Sequence, residues 1–466
     1  HSKDLVNWEL SGYALNRQPP FKHFAKTQHG GGVWAPSIRH HNGEFYIYYP
    51  DPDFGIYLIK AKDINGPWSE PLMVEAGKGL IDPCPLWDDD GKTYLVHGWA
   101  GSRSGIKSVI TVKEMNAEGT RVTSDGVLVY DGHELDPTIE GPKFYKRNGY
   151  YYIFAPAGGV STGWQLVLRS KNVYGPYERK VVMDQGKSSI NGPHQGAWVT
   201  TKAGEDWFLH FQDKGVYGRV VHLQPMRWAN DWPVIGEDPD RDGKGQPVMT
   251  WKKPRTDQSH PIATPPDTDE FDGYTLGRQW QWQANPSGNW HSATNKGMLR
   301  LYSWASPDTM RSLWDVPNVL MQKTPADEFT ATTRLKFTPN TKIENERSGL
   351  VVMGRSYARI FLKSSKDGLY LTYGLCENAD KGAAETEQQL AKLNGNEVYL
   401  RVTMRQGGKC TFSYSYDNRK FTEAGSFQAR EGQWIGAKLG IFCTRDTTIN
   451  DSGYADFDWF RIEPLP

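Results

Sequence analysis

The first half of the chain repeats one pattern four times: a polar or aromatic residue opens a short strand, a glycine-bearing turn follows, and an aromatic strand returns. The openings lie 48, 58 and 54 residues apart, which is about the period of a β-propeller blade. The segments are WAPSIRHHNGEFYIYYP from Trp34, DPCPLWDDDGKTYLVHGW from Asp82, EGPKFYKRNGYYYIFAP from Glu140 and HQGAWVTTKAGEDWFLHFQ from His194. The repeat therefore predicts a propeller whose inner strands begin at these residues, near its axis.

The chain begins with a segment typical of the end of such a unit. HSKDLVNWE resembles the outer-strand segments KAKDINGPWSE at 60–70 and RSKNVYGPYE at 169–178. An outer strand at the first residue predicts a further blade whose inner strands lie upstream. We therefore expect residues 1–236 to form a five-bladed propeller whose first blade is incomplete in this chain.

The second half lacks the repeat. Residues 237–268 are polar and rich in proline, which predicts a linker or strap. From residue 269 to 466, alternating strands such as EFTATTRLKF and EVYLRVTMRQ resume, and their length and pattern predict one antiparallel β-sandwich. The predicted fold class is all-β throughout.

Composition excludes some classes of partner. Lysine plus arginine and aspartate plus glutamate each number 54, so the formal net charge is zero. Nucleic acids and acidic membranes select basic proteins, and we expect neither as a partner. The four cysteines include no CxxC pair, which predicts no zinc or redox site. The sequence leaves the compartment open, with a periplasmic or secreted location favoured over a cytoplasmic one.

Two carboxylates open the inner strands of successive repeats. Asp82 and Glu140 should therefore both point at the axis, where a pair of carboxylates in different surroundings can hydrolyse a glycoside. Ile139, Pro142 and Phe144 flank Glu140, and desolvation by them predicts a raised pKa for its carboxyl. The alternative is that both carboxylates cap backbone N–H groups at strand starts.

The motifs VWAPSI, GLIDPCPLWDDDGKTYLVHGWAGSR, TIEGPKFYKRNGYYYIFAPAGG and NGPHQGAWV resemble glycoside hydrolase family 43, a family of five-bladed propellers. The part from DEFDGYTLGRQWQWQANP to ADFDWFRI resembles the concanavalin-like C-terminal domain of its β-xylosidase-type members. The resemblance implies an inverting enzyme without a required cofactor, acting on arabinose- and xylose-containing hemicellulose. We expect exo action on terminal α-L-arabinofuranosyl or β-D-xylosyl residues. A non-catalytic glycan-binding protein is the alternative.

The resemblance also implies roles for individual residues. Glu140 matches the family's general acid, and Asp82 matches the Asp that orients this acid and tunes its pKa. The general base of the family is an Asp on the inner strand of the first blade, and no residue of this sequence matches it. Asp51 and Asp53 resemble that segment in composition, but they follow the returning strand, which predicts contacts at the pocket rim or turn chemistry.

The remaining candidates bind the sugar or an ion. Arg219 matches a family Arg that contacts the sugar, and a surface salt bridge is its alternative. His194 matches a His that helps to hold a central water or a structural calcium ion. Trp34 and Trp99 suit stacking on a sugar or filling the propeller core. Asp53 and Phe54 are candidates for the pocket rim.

Overall fold

Short antiparallel strands make up both parts of the chain in the computed structural model, which describes residues 1–465. Pro466, the last residue of the predicted sandwich, lies outside the described residues. The chain divides into two units. The first comprises His1–Gln18, Gly31–Asp213 and Arg219–Thr264, and the second comprises Pro19–Gly30, Lys214–Gly218 and the chain from Pro265 onward.

Within residues 1–465, the first unit contains four four-stranded antiparallel sheets, each with its strands in chain order. We call them blades I to IV. Blade I contains β1 (Ser37–His41), β2 (Glu44–Asp51), β3 (Gly55–Ala61) and β4 (Leu72–Ala76). Blade II contains β5 (Leu80–Trp87), β6 (Thr93–Trp99), β7 (Val109–Met115) and β8 (Val127–Asp131). Blade III contains β9 (Lys143–Arg147), β10 (Tyr150–Ala157), β11 (Trp164–Ser170) and β12 (Glu178–Met183). Blade IV contains β13 (His194–Thr200), β14 (Asp206–Asp213), β15 (Arg219–Ala229) and β16 (Trp232–Ile235). The prediction of an all-β chain with a propeller arrangement is confirmed.

The blades pack face to face through their alternating apolar side chains. Val96 and Ile110 of blade II share one buried cluster with Ile153 and Leu166 of blade III. Blades III and IV meet through Phe154 and Phe208, whose ring centroids lie 6.1 Å apart. Each fully buried side chain of this size contributes about 1.5–3 kcal/mol. This packing fixes the sheets that carry the candidate residues.

The second unit is a β-sandwich, as predicted, and its core lies between two mainly antiparallel sheets, in which the short pairing of Trp304–Ala305 with residues 444–445 is parallel. The eight-stranded sheet follows the order β17 (Gln281–Trp282), β21 (Leu320–Lys323), β30 (Lys438–Arg445), β23 (Arg347–Met353), β24 (Tyr357–Ser365), β25 (Gly368–Cys376) and β26 (Thr386–Lys392), and β20 (Trp304–Ala305) pairs with β30. The seven-stranded sheet follows the order β18 (His291–Ala293), β19 (Leu299–Tyr302), β31 (Tyr454–Glu463), β22 (Phe329–Thr338), β27 (Glu397–Arg405), β28 (Lys409–Ser415) and β29 (Thr422–Gln428).

The eight-stranded sheet is covered on both faces. Leu350 and Ile360 belong to the main core of the sandwich. Their neighbours Val351 and Phe361 point to the opposite face, where they pack with Leu313 in a second apolar cluster. We call this opposite side the outer face of the sheet.

Helices are short throughout residues 1–465. They are α1 (Gly101–Ser104) and the 3-10 turns Gly215–Tyr217, Leu313–Asp315 and Ala379–Lys381. In this described part of the chain, no helix has the length and apolar character needed to cross a membrane.

Candidate active site

Asp82 is a buried carboxylate on the inner strand of blade II. The pairing of β5 with β6 is interrupted by a bulge between Ile81 and Cys84, and Asp82 has a φ of 56°, which is rare for a residue other than glycine. Its Oδ2 atom accepts hydrogen bonds from the backbone N–H of Gly141 at 2.7 Å and from Nε2 of Gln195 at 3.2 Å. The bulge thus directs this carboxylate toward the neighbouring blades.

Glu140 lies three residues before the inner strand of blade III, which begins at Lys143, and is accessible to solvent. Its backbone N–H donates to the carbonyl of Pro156 at 3.1 Å, which anchors the segment against β10. Its Oε1 atom lies 2.8 Å from Nε2 of His194, and its side chain is 32% exposed. Because Asp82 is only 2% exposed, Glu140 is the carboxylate of this pair that a substrate can reach.

One amide connects the two carboxylates. Nε2 of Gln195 lies 3.2 Å from Oδ2 of Asp82 and 3.5 Å from Oε1 of Glu140. Gln195 has a φ of 50° and lies in a bulge between His194 and Ala197. Sequence reasoning selected His194 and missed Gln195, because adjacent residues of a regular strand point to opposite faces. The only sequence signal was the glycine that follows, which often marks a bulge within a strand.

Gly141 shapes the backbone between Glu140 and its partners. Its φ is 59°, a conformation that glycine adopts without steric cost. A Cβ atom at this position would lie 2.7 Å from Oε1 of Gln195. Glycine therefore allows the Gly141 amide to reach Asp82 while Gln195 occupies the adjacent space.

The two carboxyls have opposite pKa shifts. Burial and the nearby charge of Glu140 raise the pKa of Asp82 to about 6, against an opposing effect of Lys143. Burial also acts to raise the pKa of Glu140, but the hydrogen bond and charge of His194, together with Arg219 and Gln195, hold it below its ordinary value. The expectation of a raised pKa for Glu140 was therefore wrong for the free protein. The sequence did not reveal how close His194 lies.

Arg219 is the first residue of β15, and its charge acts on Glu140. Its guanidinium carbon lies 4.7 Å from the ring centroid of Phe211, and its charge contributes to the lowered pKa of Glu140. The side chain itself is exposed. A guanidinium placed in this way can donate to two adjacent hydroxyls of a sugar.

Two of the candidate residues, Asp53 and Trp34, come together around Arg103. Its Nε donates to Oδ1 of Asp53 at 2.9 Å, and its guanidinium carbon lies 5.3 Å from the ring centroid of the half-buried Trp34. Asp51 is buried instead, where it accepts hydrogen bonds from Gln18 at 2.9 Å and from the backbone N–H of Asp53 at 3.1 Å. The arrangement groups Trp34 with Asp53 and fixes Asp51 within the turn.

Trp99 and Phe54 contribute to blade packing. Nε1 of Trp99 donates to Oγ1 of Thr111 at 2.9 Å, and its ring packs against the core of blades I and II. Phe54 packs against the cluster that contains Tyr49 and Tyr57. Both side chains are half-buried, and these contacts place them at the edges of the blade cores.

Comparison with known proteins gives the family. The family model for glycosyl hydrolases family 43 matches residues 1–233. The model for the beta xylosidase C-terminal concanavalin A-like domain matches residues 268–463. The chain belongs to glycosyl hydrolase family 43. It is therefore a glycoside hydrolase, and the resemblance noted from its sequence motifs is confirmed.

Relatives along the whole chain agree with this membership of family 43. A beta-xylosidase of Formosa agariphila is 31% identical over 510 residues, covering 99% of this chain and 83% of that protein. The non-reducing end alpha-L-arabinofuranosidase BoGH43B of Bacteroides ovatus is 30% identical over 496 residues, covering 100% of this chain and 88% of the relative. The solved structure of the Bacteroides ovatus xyloglucan PUL GH43B has a TM-score of 0.81 and 27% identity, covering 100% of this chain and 92% of that chain.

His194 is also the residue of this family 43 site that would hold an ion. Its Nδ1 atom is buried and has no hydrogen-bond partner within residues 1–465. The same residues contain no group of three or more His, Cys, Asp or Glu side chains arranged to hold a metal. Calcium prefers six to eight oxygen ligands, so a calcium ion at His194 would take most of its ligands from water.

Proposed function

We propose that this family 43 enzyme removes terminal α-L-arabinofuranosyl or β-D-xylosyl residues from hemicellulose with inversion. The observation that carries the proposal is the pairing of an accessible carboxylate, Glu140, with a buried one, Asp82, through the amide of Gln195. The names of the two relatives support these two sugars, and one of them supports attack at a non-reducing end. Arabinoxylan, xyloglucan and their oligosaccharides are the proposed substrates.

Glu140 acts as the general acid in this proposal. It transfers its proton to the glycosidic oxygen, which leaves with the remainder of the glycan, while water attacks the anomeric carbon from the opposite face. Asp82 holds the acid in place through the N–H of Gly141. Where Asp82 is ionised, its negative charge opposes ionisation of Glu140, although His194 and Arg219 hold the pKa of Glu140 below its ordinary value in the free protein.

The general base is assigned by the family resemblance to an Asp that this sequence does not contain. We also propose that the propeller has five blades. Blades I to IV would be four of them, and the first blade would be incomplete in this chain. An Asp on the inner strand of that first blade would take the proton of the attacking water. Inversion needs about 6.5–9.5 Å between the two carboxyl groups. Asp51 is unsuited to this role because its hydrogen bonds hold it in a turn.

Other residues hold the sugar. Arg219 and His194 lie beside Glu140 and supply donors for the hydroxyls of a terminal sugar. Trp34 and Asp53 form the rim with Arg103, and Trp99 and Phe54 support it from the blade cores. No cofactor takes part in the reaction as proposed, and a structural calcium ion is not needed for any step.

The test is hydrolysis of p-nitrophenyl α-L-arabinofuranoside and p-nitrophenyl β-D-xyloside by the parent chain and by Glu140→Gln. We expect the variant to be slower by about 100- to 10,000-fold on oligosaccharides, which is the usual contribution of a general acid, and by less on these aryl glycosides, because p-nitrophenolate leaves without protonation. The ratio of the two parent rates gives the sugar preference. Proton NMR of the first product should show the inverted anomer, and a retained anomer would contradict the proposal.

The alternative of a non-catalytic glycan-binding protein is favoured by one observation, namely that no residue matches the family's base. Sodium azide separates the two functions, because azide can attack the anomeric carbon without a base and forms a glycosyl azide. A rate that rises with azide and requires Glu140 indicates a competent acid and pocket. Binding of xylose or arabinose without hydrolysis, with or without azide, indicates the binding protein.

A further inference from the structure

A cleft of about 220 Å³ opens on the outer face of the eight-stranded sheet in the sandwich unit. It is bounded by the loop of residues 306–316 and by residues of β23, β24, β26 and β30. Pockets for drug-sized ligands measure about 300–1,000 Å³. This cleft therefore suits a smaller ligand, of the size of a single sugar ring.

Its floor is a buried ion pair. The side chain of Arg359 is 6% exposed, and its Nε donates to Oε1 of Glu385 at 2.8 Å. The guanidinium carbon lies 4.2 Å from the ring centroid of Phe361. A Cβ atom on Gly374 would lie 2.3 Å from Oε1 of Glu385. The carboxylate of Glu385 therefore fits here because residue 374 is glycine. The hydroxyl of Tyr357 also donates to Glu385.

Stability alone does not account for these charges. Elsewhere, the outer face of the same sheet carries apolar side chains such as Val351 and Met353. Replacing a buried ion pair by apolar residues of similar volume is often neutral or stabilising. A charged floor beneath an open cleft is therefore better explained by a ligand than by packing.

The wall of the cleft indicates the class of ligand. Arg347 lies 2.7 Å from Asp446 and 3.3 Å from Glu387. Counting Arg311, Arg347 and Arg359 against Glu385, Glu387 and Asp446, the lining has no net formal charge. Such a lining selects neither an anion nor a cation. Hydroxyl groups suit it, because each can donate to a carboxylate and accept from a guanidinium.

Apolar side chains complete the cleft. Met310, Leu313 and Val316 line it on the side of the 306–316 loop, where they can contact the C–H groups of a sugar ring. We propose that this cleft is a second, non-catalytic binding site for a neutral saccharide unit. The choice of xylose- and arabinose-containing probes rests on the proposed function, whereas the site itself does not.

The experiment uses the full chain with Glu140→Gln, so that the probe is not hydrolysed. Isothermal titration calorimetry with xylotriose and with arabinotriose should give two sites for at least one probe. Adding Glu387→Gln should weaken one of these sites by about tenfold, the usual effect of losing a hydrogen bond to a charged group, and leave the other unchanged. Arg311→Ala at the mouth should act on the same site.

Asp367→Asn is the matched control, because Asp367 pairs with Lys392 at 2.9 Å in an exposed position of the same unit. This variant should leave both affinities unchanged. Thermal unfolding of each variant checks that the fold is retained. A single site, no binding of either probe, or two sites that both Glu387→Gln and Arg311→Ala leave unchanged would overturn the inference.

The p-nitrophenyl glycosides separate this inference from the proposed function, because they report only hydrolysis at Glu140. If they are hydrolysed and calorimetry gives one site, the second site is wrong and the proposed function stands. If they are hydrolysed neither alone nor with azide, and calorimetry gives a site that depends on Glu387, the second site stands and the proposed catalysis is wrong.

Discussion

Nε2 of His194 lies 2.8 Å from Oε1 of Glu140, and this contact determines which carboxyl of the pair holds a proton in the free protein. Burial alone would raise the pKa of Glu140, as it raises that of Asp82, but His194 lowers it with smaller contributions from Arg219 and Gln195. Glu140 is therefore the more acidic of the two. The proposed general acid must hold its proton when the glycosidic bond breaks, so we expect His194 to set the pH range of the reaction.

Replacing His194 by Gln should therefore move the alkaline limb of the pH profile. Loss of the histidine charge raises the pKa of Glu140, so the acid keeps its proton to a higher pH. We expect the alkaline limb of kcat/KM to shift upward by about one pH unit, within the usual range for removing an adjacent charge. The control is His133→Gln, at an exposed histidine paired with Asp131. An unshifted limb would show that His194 does not tune the acid.

Asp82→Asn should reduce activity and yet stabilise the protein at alkaline pH. The pKa of Asp82 in the folded protein is about 6, above the ordinary 3.8. The Asp82 carboxyl therefore contributes fully to the free energy of unfolding below about pH 4, and this contribution is lost as the pH rises through about 6. Asparagine resembles the protonated form and avoids this loss. We expect the variant to exceed the parent in free energy of unfolding by up to about 3 kcal/mol above pH 7.

Urea denaturation of Asp82→Asn and of the parent, at about pH 4 and about pH 8, measures this difference. Asp89→Asn is the control, since the Asp89 side chain is 89% exposed and should show no such dependence. A stability difference that is the same at both pH values would contradict the raised pKa. The accompanying fall in kcat should be about 100-fold or more, because the acid loses its orienting partner.

Gln195→Ala removes the amide that joins the two carboxylates. We expect kcat to fall by about ten- to 100-fold with little change in KM, because Gln195 holds Asp82 and Glu140 in position. The hydrogen bonds of Gln195 lower the pKa of both carboxyls. The alkaline limb of the pH profile of kcat/KM should therefore move to higher pH in the variant. A purely structural role would lower the amount of folded protein without moving this limb.

Gly141→Ala tests the shape of the backbone at the site, with Gly149→Ala as its matched control. Both glycines have positive φ, 59° and 73°, so alanine costs about 1–2 kcal/mol of stability at either position. The new Cβ lies 2.7 Å from Oε1 of Gln195 in the first case and has nothing within 4 Å in the second. Only Gly141→Ala should lose activity, and equal activities would contradict the assigned role of Gln195.

The sequence predicted which candidate residues lie close together, because a repeat indicates which positions are equivalent in space. Equivalent positions in successive blades lie near one axis, so Asp82, Glu140 and His194 could be placed together without coordinates. Alternation of apolar residues likewise predicted the buried strands of the sandwich, such as β22 and β27. Burial alternates along β27, because one of its faces packs in the core and the other does not, whereas the first five residues of β22 are all buried.

Other features depend on contacts that no local pattern records. Strand β26 has the sequence TEQQLAK and lies at an exposed sheet edge, so no buried face marks it. Gln195 points at the carboxylates only because a bulge turns it there. The floor of the proposed saccharide cleft joins Arg359 of β24 to Glu385, the residue before β26, across the intervening strand β25. The lowered pKa of Glu140 required the distance to His194 itself.

The bulges in β5 and β13 also determine where the chain can lose a residue. Each bulge sets two residues against one on the neighbouring strand, so removing a single residue there would restore a regular ladder. Every later side chain of that strand would then keep its pairing, while Asp82 or Gln195 would no longer face its partners. Single-residue deletion at these two points separates catalysis from folding, a separation that substitution of a core residue does not achieve.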